Sequence, residues 1–304
     1  MKDSFDVSVG ISPRQSFDSW ASFVGELERD GVNRVWVIDS QLAMKDVYAG
    51  LVVAAIHTTR LGLGTGVTNA VTRHPTVTVN SISAVDELSH GRAILGLGAG
   101  DSALYGIGLK PQKVAEVEAA ITFFRSRLPS TIPIFLAVSQ QRMCELAGRL
   151  ADGAIVMGPA QPDMVRRQVE WIRAGGRKEC EIALITPTST DIEDVRSWAS
   201  TQARLLSHFK DLPPSLEAFR DELAESEASY DYAEHLSTHA GHSGVVSDEL
   251  VRALANVGTP SECATRLREL RKAGADNFIF PIAGRGRAAR WRKIRDEVLG
   301  QIMV

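Results

Sequence analysis

The sequence predicts a parallel α/β fold, and within that class a (β/α)8 TIM barrel. Short apolar runs rich in β-branched residues recur along the 304 residues, and a longer stretch with the period of an amphipathic helix follows each of them. Eight such runs occur over this length. That number fits a barrel of ordinary size, whereas an open doubly wound sheet rarely needs eight strand-helix units.

The eight runs are the predicted strands, and helical segments separate them. The strands are expected at residues 7–11, 34–38, 61–65, 93–97, 133–137, 153–157, 181–187 and 277–281. A first helix is expected at residues 17–30, because apolar side chains recur there on one face. Another is expected at residues 75–89, where Pro75 suits a first helical turn.

The strand spacing is uneven in one place, between the seventh and eighth runs. Residues 181 and 277 begin these two strands, a separation far larger than any other in the chain. We therefore expect an insertion at about residues 191–257 that adds helices and a covering loop. Thr259 is expected to cap the helix that follows. The whole chain, residues 1–304, is interpreted as one domain.

Composition excludes several functional classes. Hydrophobic residues make up 44% of the chain, which is enough for a sizeable core, and the net charge of -3 gives no basic footprint for nucleic acid. The longest apolar run, residues 51–56, is far shorter than the roughly 20 residues of a membrane span. Two aspartates within residues 1–6 do not suit a secretory signal. We therefore expect a cytoplasmic protein without nucleic-acid or membrane partners.

Neither a metal site nor a familiar nucleophile is indicated. The three cysteines, Cys144, Cys180 and Cys263, are far apart and are expected to be buried apolar residues. No histidine lies in the first strand, and His239 and His242 are expected in a solvated loop. Since a nucleophile elbow and a P-loop are also missing from the sequence, a bound cofactor is expected to supply the chemistry.

The active site of such a barrel forms where the strands end at their carboxyl side. Two of these ends are rich in glycine, at residues 62–66 and 96–100. Glycine lets backbone approach a flat or anionic ligand, although it also eases the packing of neighbouring strands. Asp39 follows the second strand, and Ser139 follows the fifth. These four places are the candidate lining of the site.

The stretch LGLGTGVTNAVTRHPTVTVNSISAVDELSHGRAILGLGAGDSA, residues 61–103, resembles the bacterial luciferase-like superfamily. It is particularly similar to the methylenetetrahydromethanopterin reductase branch, which uses the deazaflavin coenzyme F-420. Similarity extends to residues 35–39, 134–152 and 256–281, at or overlapping the segments PIFLAV, ELAGRLADGAI, VGTP and KAGADNF. The resemblance implies a (β/α)8 barrel with an insertion before the last strand. It also implies hydride transfer between coenzyme F-420 and a small organic substrate.

The resemblance also assigns expected roles to single residues. It implies a non-prolyl cis peptide bond at Gly66-Val67, against the deazaflavin ring. Asp39 and Asp101 are the implied catalytic carboxylates. The implied cofactor-binding residues are those of the third and fourth strand ends, Gly66, Val67, Thr68, Asn69, Gly98, Ala99, Gly100 and Ser102, and those near the cofactor phosphate, Ser139, Gln140 and Arg142.

Each assignment has a plainer structural alternative. Asp39 and Asp101 suit helix N-caps, and Arg142 suits an exposed helical position. Arg73 and His74, in the TRHP stretch, either approach the cofactor or only hold the barrel rim. We further expect a valine at Gly66 to abolish cofactor binding with little loss of fold, because its side chain would take the place of the ring.

Three departures from the family pattern leave other functions open. Gly10, Ser40 and the Gln140-Gln141 pair stand where several members have glutamate, histidine and Gly-Pro. The alternatives are a monooxygenase that uses reduced FMN and a non-catalytic flavin-binding barrel. The resemblance also implies a homodimer or higher oligomer, formed through helices near the second and third strands that include residues 47–56. The sequence does not identify the substrate.

Overall fold

A computed structural model describes residues 6–11, 14–229, 246–282 and 286–302. Eight parallel strands form a closed barrel in the order β1-β10-β7-β6-β5-β4-β3-β2, which confirms the predicted (β/α)8 fold. Two short strands, β8 and β9, pair outside the barrel. The ten strands are β1 (Asp6–Ile11), β2 (Arg34–Val37), β3 (Gly62–Thr65), β4 (Ala93–Leu97), β5 (Ile134–Val138), β6 (Gly153–Val156), β7 (Glu181–Ile185), β8 (Thr188–Ser189), β9 (Asn256–Val257) and β10 (Asn277–Ile282).

The barrel closes because β1 pairs with strands on both of its sides. Ser8 is aligned with Ile279 of β10 and with Arg34 of β2. The predicted strand bounds are within about two residues of those observed. The largest difference is at β7, which ends at Ile185 because residues 188–189 leave the barrel to pair with β9.

Helices surround the barrel and also fill the long connection before β10. Pro75 begins α3 as predicted, and Thr259 caps α11 with a reciprocal contact to Glu262. The helices are α1 (Phe17–Arg29), α2 (Val47–His57), α3 (Pro75–Ser89), α4 (Asp101–Tyr105), α5 (Val114–Arg127), α6 (Gln141–Leu150), α7 (Pro162–Ala174), α8 (Glu193–Ser207), α9 (Arg220–Ala228), α10 (Asp248–Leu254), α11 (Pro260–Lys272) and α12 (Arg287–Lys293).

The connection between β7 and β10 contains the additional helices that the uneven spacing predicts. Helices α8, α9 and α10 pack on a core of their own, in which Ala199, Leu223 and Leu250 are buried. The expected covering loop falls largely on residues 230–245. That segment, with His239 and His242, lies outside the described residues.

The barrel interior is a packed apolar layer that supports the carboxyl ends of the strands. The layer consists of Trp36, Ile94, Phe135, Ile155, Ala183 and Ile279. The rings of Trp36 and Phe135 are tilted against each other with centroids 5.3 Å apart. A β-carbon on Gly64 would lie 2.4 Å from the Trp36 ring, so β3 passes this ring only because it carries glycine there. The packing alternative for the glycines is therefore correct at Gly64.

The three cysteines are free and buried, as predicted. Burial raises the pKa of the Cys144 thiol to about 12 and that of the Cys180 and Cys263 thiols to about 11. No helix in the described part of the chain is long and apolar enough to cross a bilayer.

Glu28 holds the turn that leads into β3. Its Oε1 atom accepts hydrogen bonds from the backbone N–H groups of Thr59, Arg60 and Leu61, at 2.6 to 3.0 Å. Burial acts to raise the pKa of Glu28, but these three donors outweigh it and hold the pKa below its ordinary value of 4.5. The ionised carboxylate thus stabilises the turn on which β3 depends.

We predict that Glu28→Gln lowers the free energy of unfolding by about 1 to 2 kcal/mol at pH 7, because a neutral amide accepts these bonds less strongly. The folded pKa of Glu28 is depressed, so its contribution is complete above pH 4.5 and is lost as the pH falls through the folded value. Urea unfolding at several pH values measures this. A difference between wild type and variant that stays constant below pH 4.5 would contradict the assignment.

Candidate active site

A cavity of about 310 Å³ opens where the strands end at their carboxyl side. Residues that follow β2 to β7 form its inner wall, and helix α8 supplies the rest. The lining residues are Ile38, Asp39, Ser40, Gly66, Val67, Gly98, Ala99, Gly100, Asp101, Ser102, Ala103, Ala137, Val138, Ser139, Met143, Met157, Ile185, Trp198, Thr201, Arg204 and Leu205. Its place at this end of the barrel is where enzymes with this fold carry out catalysis.

Most of the residues predicted from the sequence line this cavity. These are Asp39, Gly66, Val67, Gly98, Ala99, Gly100, Asp101, Ser102 and Ser139. The others lie close to it without lining it. Thr68 and Asn69 are buried behind the end of β3, and Gln140 and Arg142 are exposed at the first turn of α6.

The backbone after β3 has the expected cis peptide bond between Gly66 and Val67. Thr68 then pairs with Leu97 at the end of β4 as an isolated bridge. The N–H of Thr68 donates to the Gly96 carbonyl at 3.0 Å, and the N–H of Gly98 donates to the Thr68 carbonyl at 2.9 Å. The ends of β3 and β4 are thereby joined into one continuous wall.

Gly66 is required by packing, and this overturns one of our expectations. A β-carbon on Gly66 would lie 2.7 Å from Cβ of Trp36 and 3.1 Å from its carbonyl carbon. A side chain at this position would therefore strike β2 and would not enter the cavity. The expectation that valine at Gly66 spares the fold is wrong, because the added atoms would displace the Trp36 backbone.

Asp39 is a buried carboxylate with three donors. Its Oδ2 atom accepts from Arg73 Nη1 at 2.5 Å and from the Thr68 hydroxyl at 2.8 Å, and its Oδ1 accepts from the Gln41 amide at 2.9 Å. The N-cap alternative is wrong for Asp39, because Asp46 caps α2. Asp39 thus lies in the cavity wall as an ion-paired group.

Arg73 binds Asp39 from behind the cavity wall. A second nitrogen, Nη2, donates to Asp46 at 2.7 Å, and the guanidinium lies 5.3 Å from the centre of the Tyr48 ring. Burial alone would lower the pKa of Arg73, but the two carboxylates outweigh it and raise that pKa. His74 caps α3. Of the two alternatives for the TRHP stretch, the structure therefore favours holding the rim.

Asp101 is also ion-paired, with a partner that the sequence did not reveal. It is the first residue of α4, after an N-cap position at Gly100, and its carboxylate contacts Arg204 of α8. The Arg204 side chain is only 2% exposed, whereas that of Asp101 is 43% exposed. The N-cap alternative is thus wrong for Asp101 as well.

Ser139 lines the cavity directly before α6. Its carbonyl accepts a hydrogen bond of 2.9 Å from the Gln168 side chain, which also donates to the Met157 carbonyl at 3.1 Å. The N-cap residue of α6, Gln140, gives no side-chain acceptor to the first turn of the helix. The first backbone N–H groups of α6 therefore receive no hydrogen bond from a capping side chain.

Four lining residues come from α8, and sequence reasoning missed all of them. They are Trp198, Thr201, Arg204 and Leu205. Three of them recur at i, i+3 and i+7, so the helical period could have placed them on one face. The sequence held no sign that this face turns towards the strand ends.

The lining contains few groups able to move a proton. Among the lining residues that the structure describes, Asp39, Asp101 and Arg204 are charged, and both carboxylates are bound by arginines. The same described lining contains no histidine, cysteine, lysine or tyrosine. In the described part of the chain, no group of three or more acidic, histidine or cysteine residues is placed to hold a metal ion.

Comparison of the chain with known protein families identifies its family. The family model described as luciferase-like monooxygenase matches residues 1–108 and 109–277. The chain belongs to this family. The predicted resemblance to the luciferase-like superfamily is thereby confirmed.

Members of known activity are distant in sequence but similar in fold. The 5,10-methylenetetrahydromethanopterin reductase of Methanolobus tindarius is 27% identical over 289 residues, which cover 83% of this chain and 86% of the relative. The solved coenzyme F-420-dependent tetrahydromethanopterin reductase of Methanopyrus kandleri has a TM-score of 0.78 at 20% identity, with 98% of this chain and 99% of that chain covered. The monooxygenase RslO1 of Streptomyces bottropensis has a TM-score of 0.68 at 17% identity, with 98% and 99% covered.

We predict that Arg73→Met lowers the free energy of unfolding by about 2 to 4 kcal/mol, because it leaves the Asp39 carboxylate buried without its cation. The double variant Arg73→Met, Asp39→Asn is expected to regain part of that loss. Urea unfolding measures both. Arg149→Met, which breaks an exposed ion pair with Glu118, is the control and should cost less than about 1 kcal/mol. A double variant less stable than Arg73→Met alone would contradict this account.

Proposed function

We propose that this protein is an oxidoreductase that transfers a hydride between coenzyme F-420 and a small organic substrate. The observation that supports this most directly is the chemistry of the cavity lining. Among the described lining residues, both carboxylates are ion-paired, and most of the others offer apolar side chains or bare backbone. Redox chemistry in such a site has to come from a bound group. The relative from Methanolobus tindarius is named as a methylenetetrahydromethanopterin reductase. The name of the solved Methanopyrus kandleri enzyme includes coenzyme F-420.

The residues present fit a flat ring with an anionic tail. Val67, Ala137, Val138 and Met143 offer apolar surface to the cavity. Gly98 and Gly100 contribute backbone without a side chain, which leaves room for a flat ring. Ser139 and the uncapped first turn of α6 lie at the end of the same wall. A phosphate there would meet backbone N–H groups and the positive end of the helix dipole.

When bound, the deazaflavin supplies the hydride carrier. The protein would hold the ring against the β3 and β4 ends, where the cavity walls would shield it from water. The Thr68 hydroxyl and Arg73 fix the Asp39 carboxylate beside the ring site. Asp39 thereby has one orientation before any ligand binds, which is the kind of positioning that favours reaction.

A reduced-FMN monooxygenase is the second candidate. It is favoured by the monooxygenases among the solved structures of similar fold. FMN shares the ring shape and the phosphate with coenzyme F-420, so the same wall would serve both. The two functions differ in whether oxygen reacts with the reduced ring.

We predict that coenzyme F-420 binds at least tenfold more tightly than FMN, a difference of about 1.4 kcal/mol, because its longer anionic tail adds charge-assisted contacts beyond Ser139. The difference between the two affinities should become smaller as the salt concentration rises, since those contacts are expected to be partly exposed. Equilibrium titrations of the protein at two salt concentrations measure both effects. Tighter binding of FMN would instead assign the monooxygenase function.

We predict that Ser139→Asp weakens binding of both cofactors at least tenfold, because it places a negative charge where the phosphate is proposed to bind. The fold should not suffer, since a carboxylate at a helix N-terminus is favourable. Ser130→Asp, at an exposed position before β5, is the matched control. Cofactor titrations together with thermal melts separate the two effects. Unchanged affinity in Ser139→Asp would place the phosphate elsewhere.

We also propose that two or more copies assemble through α2 and α3. These helices leave large apolar side chains in solvent, with Ile56 66% exposed, Val77 50% and Leu88 46%. Helices α2 and α3 pack side by side, so an interface formed there would cover these exposed apolar side chains.

We predict that light scattering of the wild type gives at least twice the 33.0 kDa chain mass, and that Ile56→Lys with Val77→Lys gives the single mass. A charge at each site should prevent burial of the face. Exchange of the exposed Thr265 on α11 for lysine is the control. A wild type that scatters as one chain at micromolar concentration would refute the proposed assembly.

A further inference from the structure

Helix α8 supplies a part of the cavity wall that the proposed cofactor contacts leave open. The predicted cofactor residues follow β3, β4 and β5, whereas α8 comes from the connection between β7 and β10. Trp198, Thr201, Arg204 and Leu205 reach the cavity from this helix. Since a ring held at the β3 and β4 ends leaves this side unoccupied, α8 is placed to contact the second reactant.

Arg204 is the one cation among the described residues that line the cavity, and it is almost completely buried. Its Nη2 atom donates to Asp101, whose side chain is 43% exposed. The two side chains of this ion pair therefore differ in their freedom to move. Asp101 can turn into water and regain its hydration, whereas Arg204 is held by the packing of α8. A second anion could exchange with Asp101 without any change in the fold.

The other lining residues indicate what such an anion would be. Met157, Ile185 and Leu205 contribute apolar surface to the same cavity. The Trp198 indole N–H has no hydrogen-bond acceptor in the described part of the chain. A ligand with an apolar body and one acceptor group satisfies both conditions. The planar fork of the Arg204 guanidinium suits a carboxylate.

We propose that Arg204 is a specificity-determining residue that binds a carboxylate of the substrate in exchange for Asp101. The substrate class is thus a small apolar monocarboxylate. The inference rests on the proposed function only in placing substrate and cofactor in the same cavity. Before the substrate arrives, Asp101 contributes a negative charge beside the buried guanidinium.

The test compares hexanoate with hexanamide, which has the same shape and no charge. Calorimetric titrations use the protein with and without bound coenzyme F-420. Wild type should bind hexanoate at least tenfold more tightly than hexanamide in both states. Arg204→Met should remove the preference, and Arg204→Lys should retain only part of it because lysine lacks the planar fork. Asp101→Asn should tighten hexanoate binding severalfold, because it removes the competing anion.

Arg196→Met is the matched control, because Arg196 lies on the same helix but pairs with Glu193 and Asp248 away from the cavity. It should keep the hexanoate preference. Equal binding of the two probes by wild type, a preference that survives Arg204→Met, or weaker hexanoate binding by Asp101→Asn would each overturn the proposal.

The cofactor titrations distinguish this inference from the proposed function. A loss of coenzyme F-420 affinity of more than tenfold in Arg204→Met would make Arg204 a cofactor residue and overturn the substrate assignment. Failure of wild type to bind the coenzyme, with the hexanoate preference intact, would overturn only the proposed function. The titrations without coenzyme F-420 test the role of Arg204 independently of the proposed function.

Discussion

The candidate site depends on the way Trp36 packs inside the barrel. The indole fills the interior so closely that β3 carries glycine at position 64, and at position 66 a β-carbon would strike the Cβ and backbone of Trp36. Backbone hydrogen bonds between Thr68 and residues 96 and 98 join the end of β3 to the end of β4. The Gly66-Val67 peptide and the Gly98 backbone then form one wall of the cavity. Core packing and the shape of the site are therefore one constraint, which is why a substitution at Gly66 cannot probe binding alone.

Ion pairing between distant elements fixes the charged residues of the site. Asp39 follows β2 and is bound by Arg73, which precedes α3, while Asp101 of α4 is bound by Arg204 of α8. Each pair joins separate strand-helix units across the cavity rim. The cavity is thus left with positioned but paired carboxylates, which suits chemistry supplied by a bound cofactor. The first pair is buried, whereas the second is open to water on its acidic side. We propose ligand exchange at the second pair for this reason.

The barrel and much of the site could be predicted from the sequence, because strand-helix alternation and glycine-rich strand ends are local patterns. Asp39, Gly98 and Ser139 follow predicted strands, and parallel strands bring their carboxyl ends to one face. The partners of the acidic residues could not be predicted in this way. Arg204 is 103 residues from Asp101 along the chain, and only the packing of α8 over the strand ends brings the two together. The steric reason for Gly66 likewise depends on Trp36, which lies on another strand. Contacts between buried residues that are far apart along the chain therefore could not be predicted from residue type.

The central claim is that a deazaflavin binds with its ring at the β3 and β4 ends and its phosphate at the start of α6. A crystal structure of the protein with coenzyme F-420 tests this most directly. We expect ring atoms in contact with Val67 and the Gly98 backbone, and a phosphate oxygen within hydrogen-bond distance of Ser139 or of the first N–H groups of α6. A coenzyme bound outside this cavity, or with its phosphate away from α6, would contradict the account.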